Sequence, residues 1–391
     1  MQAVLTGRIT QRGDGLLINA ELVEVSSSNV LWGQQYNRRL SDAQAVQGEI
    51  AQEVSAKLRL KLAGEGAPGE KNKTASPEAY QAYLKGRYYY YQFTEESEKK
   101  AIEHFNQAIS LEPNYALALA GLASVYAQRS SLYLPPSEAM PKAKQAVLKA
   151  LALDGSLSDA HRSLAEIHWW GDWDFPAAEQ EFKRAIELNP NEPVIYGDYA
   201  MFLARIPERR DEAMVMADRA LQLDSLSVAI HSYVAETFFN AHQPDRVAEE
   251  ANEMLELDRN SGWGHRWLGD AYLFKGQYEQ AIAELQKGVD PQSGDRLDRL
   301  GYAYAVAGRK SEALETLAEL QALAERKYMP PHSIAHIYAG LGEKERAFQW
   351  LEKAYAGRDD GLTQLKVDPL FDSLRSDPRF IDLVRRVGLP Q

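Results

Sequence analysis

A framework of small and aromatic side chains returns along most of this chain at nearly constant intervals, and that regularity restricts the fold more than any other feature. The stretch "LGDAYLFKGQYEQAIAEL" (268–285) is restated 32 residues later as "LGYAYAVAGRKSEALETL" (300–317). One small position is filled by Gly86, Ala123, Ala165, Ala200, Ala235, Gly269, Gly301 and Ala335. A second is filled by Ala101, Ala143, Ala178, Ala213, Val247, Ala281, Ala313 and Ala347. A looser third holds Ala108, Ala150, Ala185, Ala220, Met254, Gly288, Leu320 and Ala354. Between the first two stands a large residue: Tyr89, Tyr126, His168, Leu203, Phe238, Tyr272, Tyr304 and Tyr338. Spacings at these positions run from 32 to 42.

Within each unit the apolar residues recur at three and four, as an amphipathic helix requires; "YEQAIAELQKGV" is one such face. A glycine (Gly276, Gly308, Gly342) or a polar turn divides each unit into two helices. Small residues let two backbones approach, and the large residue fills the space beside them. "LEPN" (111–114) and "LNPN" (188–191) end second helices, because proline cannot continue a helix interior. A single pair buries only part of its apolar surface, so neighbours are needed on both sides and the framework must repeat.

A period near 34 with this small–large–small order resembles the tetratricopeptide repeat, TPR. Eight units are counted between Pro77 and Gly357. The resemblance implies a mainly α fold, a right-handed TPR solenoid of about eight helix-turn-helix repeats. Unit one carries extra residues in "QFTEESEKK", and unit two in "SSLYLPPSEAMPK". Val247 and Met254 replace small residues in unit five, where looser packing is expected.

The ends differ from the array. Residues 1–63 contain "AVLTGRIT", "GLLINAELVEV" and "VLWGQQYNRRL", which alternate like antiparallel strands, then a helix opened by Ser41-Asp42. Together with "AVQGEIAQEV" they resemble the second half of the TolB-like module that precedes TPR arrays in bacterial signalling proteins. The resemblance implies an earlier strand and helix before Met1. In proteins with that module a kinase, cyclase or winged-helix domain often lies upstream. An incomplete sheet leaves an open edge, so the β segment is expected to support homo-oligomers. Residues 64–76, "GEGAPGEKNKTAS", read as a linker. Residues 358–391 read as capping helices for residues 77–357: Asp368-Pro369 and Asp377-Pro378 look like helix starts, with Phe380, Leu383, Val384 and Val387 closing the end.

Composition narrows the function. A net charge of −12 argues against a phosphate-tracking nucleic-acid surface. The longest nearly apolar run, Tyr115 to Ala127, falls short of the ~20 residues a spanning helix needs. The start has no secretory pattern, so membrane insertion is not expected and a cytoplasmic location is. Zero cysteines remove thiolate chemistry and Cys-based metal sites. No phosphate-binding loop, dinucleotide fingerprint or HExxH occurs, so neither catalytic residues nor a cofactor is expected. His332 and His336 in "HSIAH" have helical metal-pair spacing without a third ligand, so no metal is expected either. The numerous carboxylates read as solvated helix faces.

What remains is recognition by a protein or peptide. The TPR resemblance implies that the first helix of each pair lines a concave groove. By register the groove includes Tyr80, Tyr83, Arg87, Tyr90, Tyr91, Trp169, Trp170, Arg205, Phe239, Trp263, Arg266, Phe274 and Tyr302. Aromatic and Arg side chains are common interface anchors, and the same residues suit packing inside the array. The ninth positions hold no Asn, which argues against the chaperone-tail clamp known in this family. The expectation is a non-enzymatic interaction scaffold, with a self-assembling structural protein as the alternative.

Overall fold

The computed structural model describes residues 3–12, 15–24, 30–39, 46, 49–50, 53, 76–90, 94–288 and 296–390. The chain forms two compact units: residues 1–91 with 100–118, and residues 92–99 with 119–391.

In the first unit three strands, β1 (Ala3–Arg12), β2 (Gly15–Glu24) and β3 (Val30–Arg39), pair antiparallel in the order β1-β2-β3. The period of two puts Leu16, Ile18, Ala20 and Leu22 on one buried face with Trp32 and Tyr36. Val46 and Ile50 cover that face, one helical turn apart as expected for the segment after Ser41-Asp42. Trp32 Nε1 donates to Glu53 at 3.1 Å. The other residues of that expected helix, and the linker up to Ala75, lie outside the described residues. Helix α1 (Pro77–Tyr90) packs through Tyr83 on Phe105 of α2 (Glu95–Leu111) and on Tyr115.

The second unit continues as helix pairs. In order they are α3 (Ala116–Tyr133) and α4 (Pro136–Leu153), then α5 (Ser158–Glu166) and α6 (Phe175–Leu188). Next come α7 (Pro193–Ala204) with α8 (Arg210–Leu223), and α9 (Val228–Asn240) with α10 (Pro244–Leu257). The last three pairs are α11 (Gly262–Phe274) with α12 (Tyr278–Gly288), α13 (Leu297–Val306) with α14 (Lys310–Ala324), and α15 (Pro331–Gly340) with α16 (Lys344–Ala356). The extra residues of unit two lengthen α3 and α4 rather than forming a loop. In unit three α5 widens into a π-helical turn, Ile167–Asp172, that carries Trp169 and Trp170.

The small positions do what the spacing predicts. Ala143, Ala178, Ala213, Ala281, Ala313 and Ala347 have no solvent exposure. Val247 and Met254 are equally buried, so the looser packing expected of unit five is not found: Phe238, Trp267 and their neighbours close around the larger side chains. At Gly269 a Cβ would lie 2.6 Å from Leu285 Cγ, and Leu285 is fully buried with no room to retreat. Gly269→Val is therefore expected to cost about 2–3 kcal/mol, read as a lower urea midpoint.

Turns between paired helices use the left-handed conformation at Gly276, Gly308 and Gly342, φ 70–78°. Each turn is closed by a bond such as Gln277 N–H to Tyr272 O at 2.9 Å. Inside three pairs a histidine locks the first helix to the second: His161 to Glu181, His231 to Glu250 at 2.6 Å and His265 to Glu284 at 2.7 Å.

Past α16 the chain makes two 3₁₀ turns, Asp360–Gln364 and Pro369–Leu374, and a last helix, α17 (Pro378–Val387). Asp377 caps α17 by accepting from Arg379 N–H. Phe380, Leu383 and Val387 are buried, and α17 is tied to α16 by Arg379–Glu345 at 2.9 Å and Arg386–Glu352 at 2.7 Å. Asp368 caps only a 3₁₀ turn, so one capping helix stands where the sequence suggested two.

Candidate partner-binding face

Each first helix begins where a proline or polar cap ends the preceding pair, which fixes the rotation of its remaining residues. The ninth-position side chains then fall on one face, together with those three and four residues earlier. Along that face runs a ladder of charged groups joining successive first helices. Glu166 Oε1 accepts from Gln128 at 2.7 Å and from Arg162 at 2.9 Å, and the same guanidinium donates to Asp198 at 2.9 Å. Arg205 donates to Glu236 at 2.8 Å. Arg266 meets Asp270 at 3.0 Å. Arg299 lies 4.0 Å from Asp270, 3.7 Å from Asp298 and 3.8 Å from Asp368. His336 is held between Asp298 at 2.9 Å and Asp368 at 3.0 Å.

These carboxylates are not the solvated faces that the composition suggested. Glu166, Asp198, Asp270 and Asp368 have no exposure. Burial dominates Glu166 and, with Arg162 opposing it, pushes its carboxyl up to about 8. Burial also raises Asp270 against the pull of Arg299 and Arg266. At Asp298 and Asp368 burial is outweighed by His336 and Arg299, so both carboxyls are held well below the usual range. The signal was present in the register: Ser124, Glu166, Glu236, Asp270 and His336 all occupy ninth positions. Within-helix periodicity cannot see partners 31–38 residues apart.

The expected aromatic anchors divide into two groups. Tyr80, Tyr83 and Tyr90 are buried in the first unit, while Arg87 is exposed. Tyr91 lies outside the described residues. Trp169 is fully buried, stacked on Trp170 at 4.8 Å with the Arg205 guanidinium 4.4 Å from its ring. Phe239 packs on Trp267 and Phe274. These rings serve the packing of the array. Trp263, Arg266, Phe274 and Tyr302 are half-buried and keep some surface; Arg266 covers Trp267 at 3.5 Å, and Arg296 covers Trp263 at 4.7 Å.

The sequence did not show that the segment after α16 comes back across this face. Arg205 donates to Thr363, His242 Nε2 to the Val367 carbonyl at 2.8 Å, and His332 pairs with Asp359 at 2.6 Å. Leu370 enters the cluster of Phe239 and Trp267. His332 and His336, edge to face at 5.3 Å, are hydrogen-bonded to different carboxylates, Asp359 and Asp368. His332, Asp359 and Asp360 offer ligand atoms within 4.8 Å of one another, and His332 and Asp359 are hydrogen-bonded to each other.

The tetratricopeptide repeat profile matches residues 267–290 and 332–356, within units six and eight. The chain therefore carries tetratricopeptide repeats in a mainly helical solenoid preceded by a small three-stranded sheet. Among curated proteins it is similar to Putative adenylate cyclase 3 of Rhizobium meliloti (strain 1021), 28% identical over 43% of this chain and 29% of that one. It is also similar to human Protein O-mannosyl-transferase TMTC3, 36% identical over 24% of this chain and 9% of that one. The chain thus spans under a third of the length of either. Among solved structures it resembles the human IFIT1 dimer with PPP-AAAA, 13% identical, covering 85% of this chain and 75% of that one with a TM-score of 0.54. That is a likeness of fold alone. No described helix is long and apolar enough to cross a membrane.

Proposed function

We propose that this chain is a non-enzymatic scaffold whose repeat array holds a protein or peptide partner, and that it forms the regulatory part of a bacterial signalling protein. The half-buried row of Trp263, Arg266, Phe274 and Tyr302 carries the reading. These large side chains retain surface on the first-helix face, where amphipathic rings and guanidinium groups recognise protein at low entropic cost. Tetratricopeptide arrays generally mediate protein contacts, and the similarity to a longer adenylate cyclase supports the signalling context. In the same reading residues 1–63 are the second half of a TolB-like module, the array works in the cytoplasm, and the net charge of −12 steers it from nucleic acid.

Trp263→Ala with Tyr302→Ala is expected to weaken a captured partner at least thirtyfold while the helical content stays unchanged. Retained affinity in the double variant would place the partner elsewhere. Self-assembly is a second reading, because the outer edges of β1 and β3 pair with no further strand among the described residues. Light scattering decides it: a chain lacking residues 1–35 is then expected to fall to a smaller number of subunits than the full chain, and an unchanged number overturns the reading.

A further inference from the structure

Residues 359–374 belong to no repeat, yet they reach the first-helix side of units four, five, seven and eight through Arg205, His242, Arg299, His332 and His336. From Leu362 to Phe371 the main-chain N–H groups described for this segment bond within it, mostly in the 3₁₀ pattern: Leu365 to Leu362, Val367 to Gln364, Phe371 to Asp368. Beyond Asp359, whose N–H bonds Ala354 O of α16, its bonds to the helices run through side chains. Its release costs two helix ends, the α16 end where Asp359 N–H meets Ala354 O at 2.9 Å and the α15 start where Asp359 accepts from His332 N–H at 3.0 Å, and leaves the helix interiors intact.

Backbone strain marks the grip on it. Units six, seven and eight turn on Gly276, Gly308 and Gly342, but the matching turn of unit five uses His242 at φ 63°, closed by the same kind of bond, Gln243 N–H to Phe238 O. Arg358 (φ 55°) and Trp173 (φ 56°) are also left-handed, and they stack on each other at 4.5 Å where the segment begins. A non-glycine residue there is strained, and it persists where its side chain is held.

We propose that residues 359–374 are an intramolecular ligand of the first-helix face, and that the face takes from a partner an acidic segment of the same chemistry and the same 3₁₀ turns. One carboxylate meets His332. A second, in the place of Asp368, meets His336 and Arg299, with Leu and Phe two and three residues after it. This rests on the scaffold reading and adds a gate to it, since the partner's segment and the chain's own compete for one surface. Electrostatic complementarity selects the ligand: with the resident segment gone, His332 loses Asp359, and His336 and Arg299 each lose Asp368 while keeping Asp298.

The probe is a fluorescent synthetic peptide of residues 357–377, added to the full chain and to Gly361→Val, in which a Cβ would overlap the His332 ring and unseat the resident segment. The peptide is expected to bind Gly361→Val at least tenfold more tightly than the unaltered chain, and to lose at least tenfold when its two residues matching Asp359 and Asp368 are Asn. Equal binding to both proteins, or indifference to the Asn changes, overturns the proposal. A measurement on the unaltered chain stands independently of that variant's folding. Amide exchange of residues 359–374 is expected to be faster than that of α7 and α9, and to accelerate with excess peptide. Exchange of the segment only together with those helices overturns the gate. A partner that binds with residues 359–374 still protected would do the same while leaving the scaffold intact.

Discussion

Arg162→Met is expected to be the most damaging single change in the array, lowering stability by about 3–5 kcal/mol. The guanidinium is buried and lies between Glu166 and Asp198, both closed off from water. Methionine fills similar volume but leaves two carboxylates facing each other in a dry interior, and a buried charge stripped of its partner is costly. They can escape only by binding protons. Glu166 is already pushed up to about 8 by burial despite Arg162, and losing the arginine raises it further. A folded value above the ordinary 4.5 contributes stability that is complete below pH 4.5 and lost as pH rises through 8. The variant should therefore unfold in urea far below the parent at pH 8 and recover part of the difference at pH 5. Glu166→Gln should act oppositely, stabilising the chain above pH 8 because the amide carries no charge to bury. Urea midpoints of Arg162→Met and the parent that coincide at pH 8 would show that these charges are not buried together.

The repeat was legible because packing between neighbouring helices demands the same residue size at the same place. Ala178 and Ala213 could be named as crossing points without coordinates, and both are fully buried. Which aromatic side chains keep surface was not legible. Trp169 and Trp263 satisfy the same register, yet the π-helical turn rotates Trp169 into the packing beside Phe202, while Trp263 stays half-buried. A one-residue widening of a helix leaves no periodic trace. The course of residues 359–374 was hidden for a different reason. Arg205 and Thr363 are 158 positions apart, and His242 and Val367 are 125 apart, so the contacts follow no repeat. "GRDDGLTQLKVDP" looks solvated until His332, His336 and Arg299 are placed beside its carboxylates.

Raising the pH from 6 to 9.5 is expected to loosen residues 359–374 selectively. Burial would depress the His332 imidazolium, but Asp359, by charge and hydrogen bond, outweighs it with help from Asp360 and Asp298, and holds the group up to about 9. The His336 ring, 5.3 Å away, packs against the same imidazole. Because this value lies above the ordinary 6.5, the stabilisation is complete below pH 6.5 and disappears as pH climbs through 9. Asp359 and Asp368 have the opposite sign: both are depressed, so their contribution is present above the ordinary 3.8 and is lost on acidification well below it. The segment is therefore held most firmly between about pH 4 and 6.5. The alkaline loss is at most about 3 kcal/mol, or roughly a hundredfold in amide protection after correction for intrinsic exchange. His332→Gln should flatten the dependence, since an amide donates to Asp359 at every pH without gaining or losing charge. If protection of residues 359–374 in the parent is the same at pH 6 and 9.5, the His332–Asp359 pair is not what fastens the segment, and its attachment must come from Leu370, Phe371 and their apolar neighbours alone.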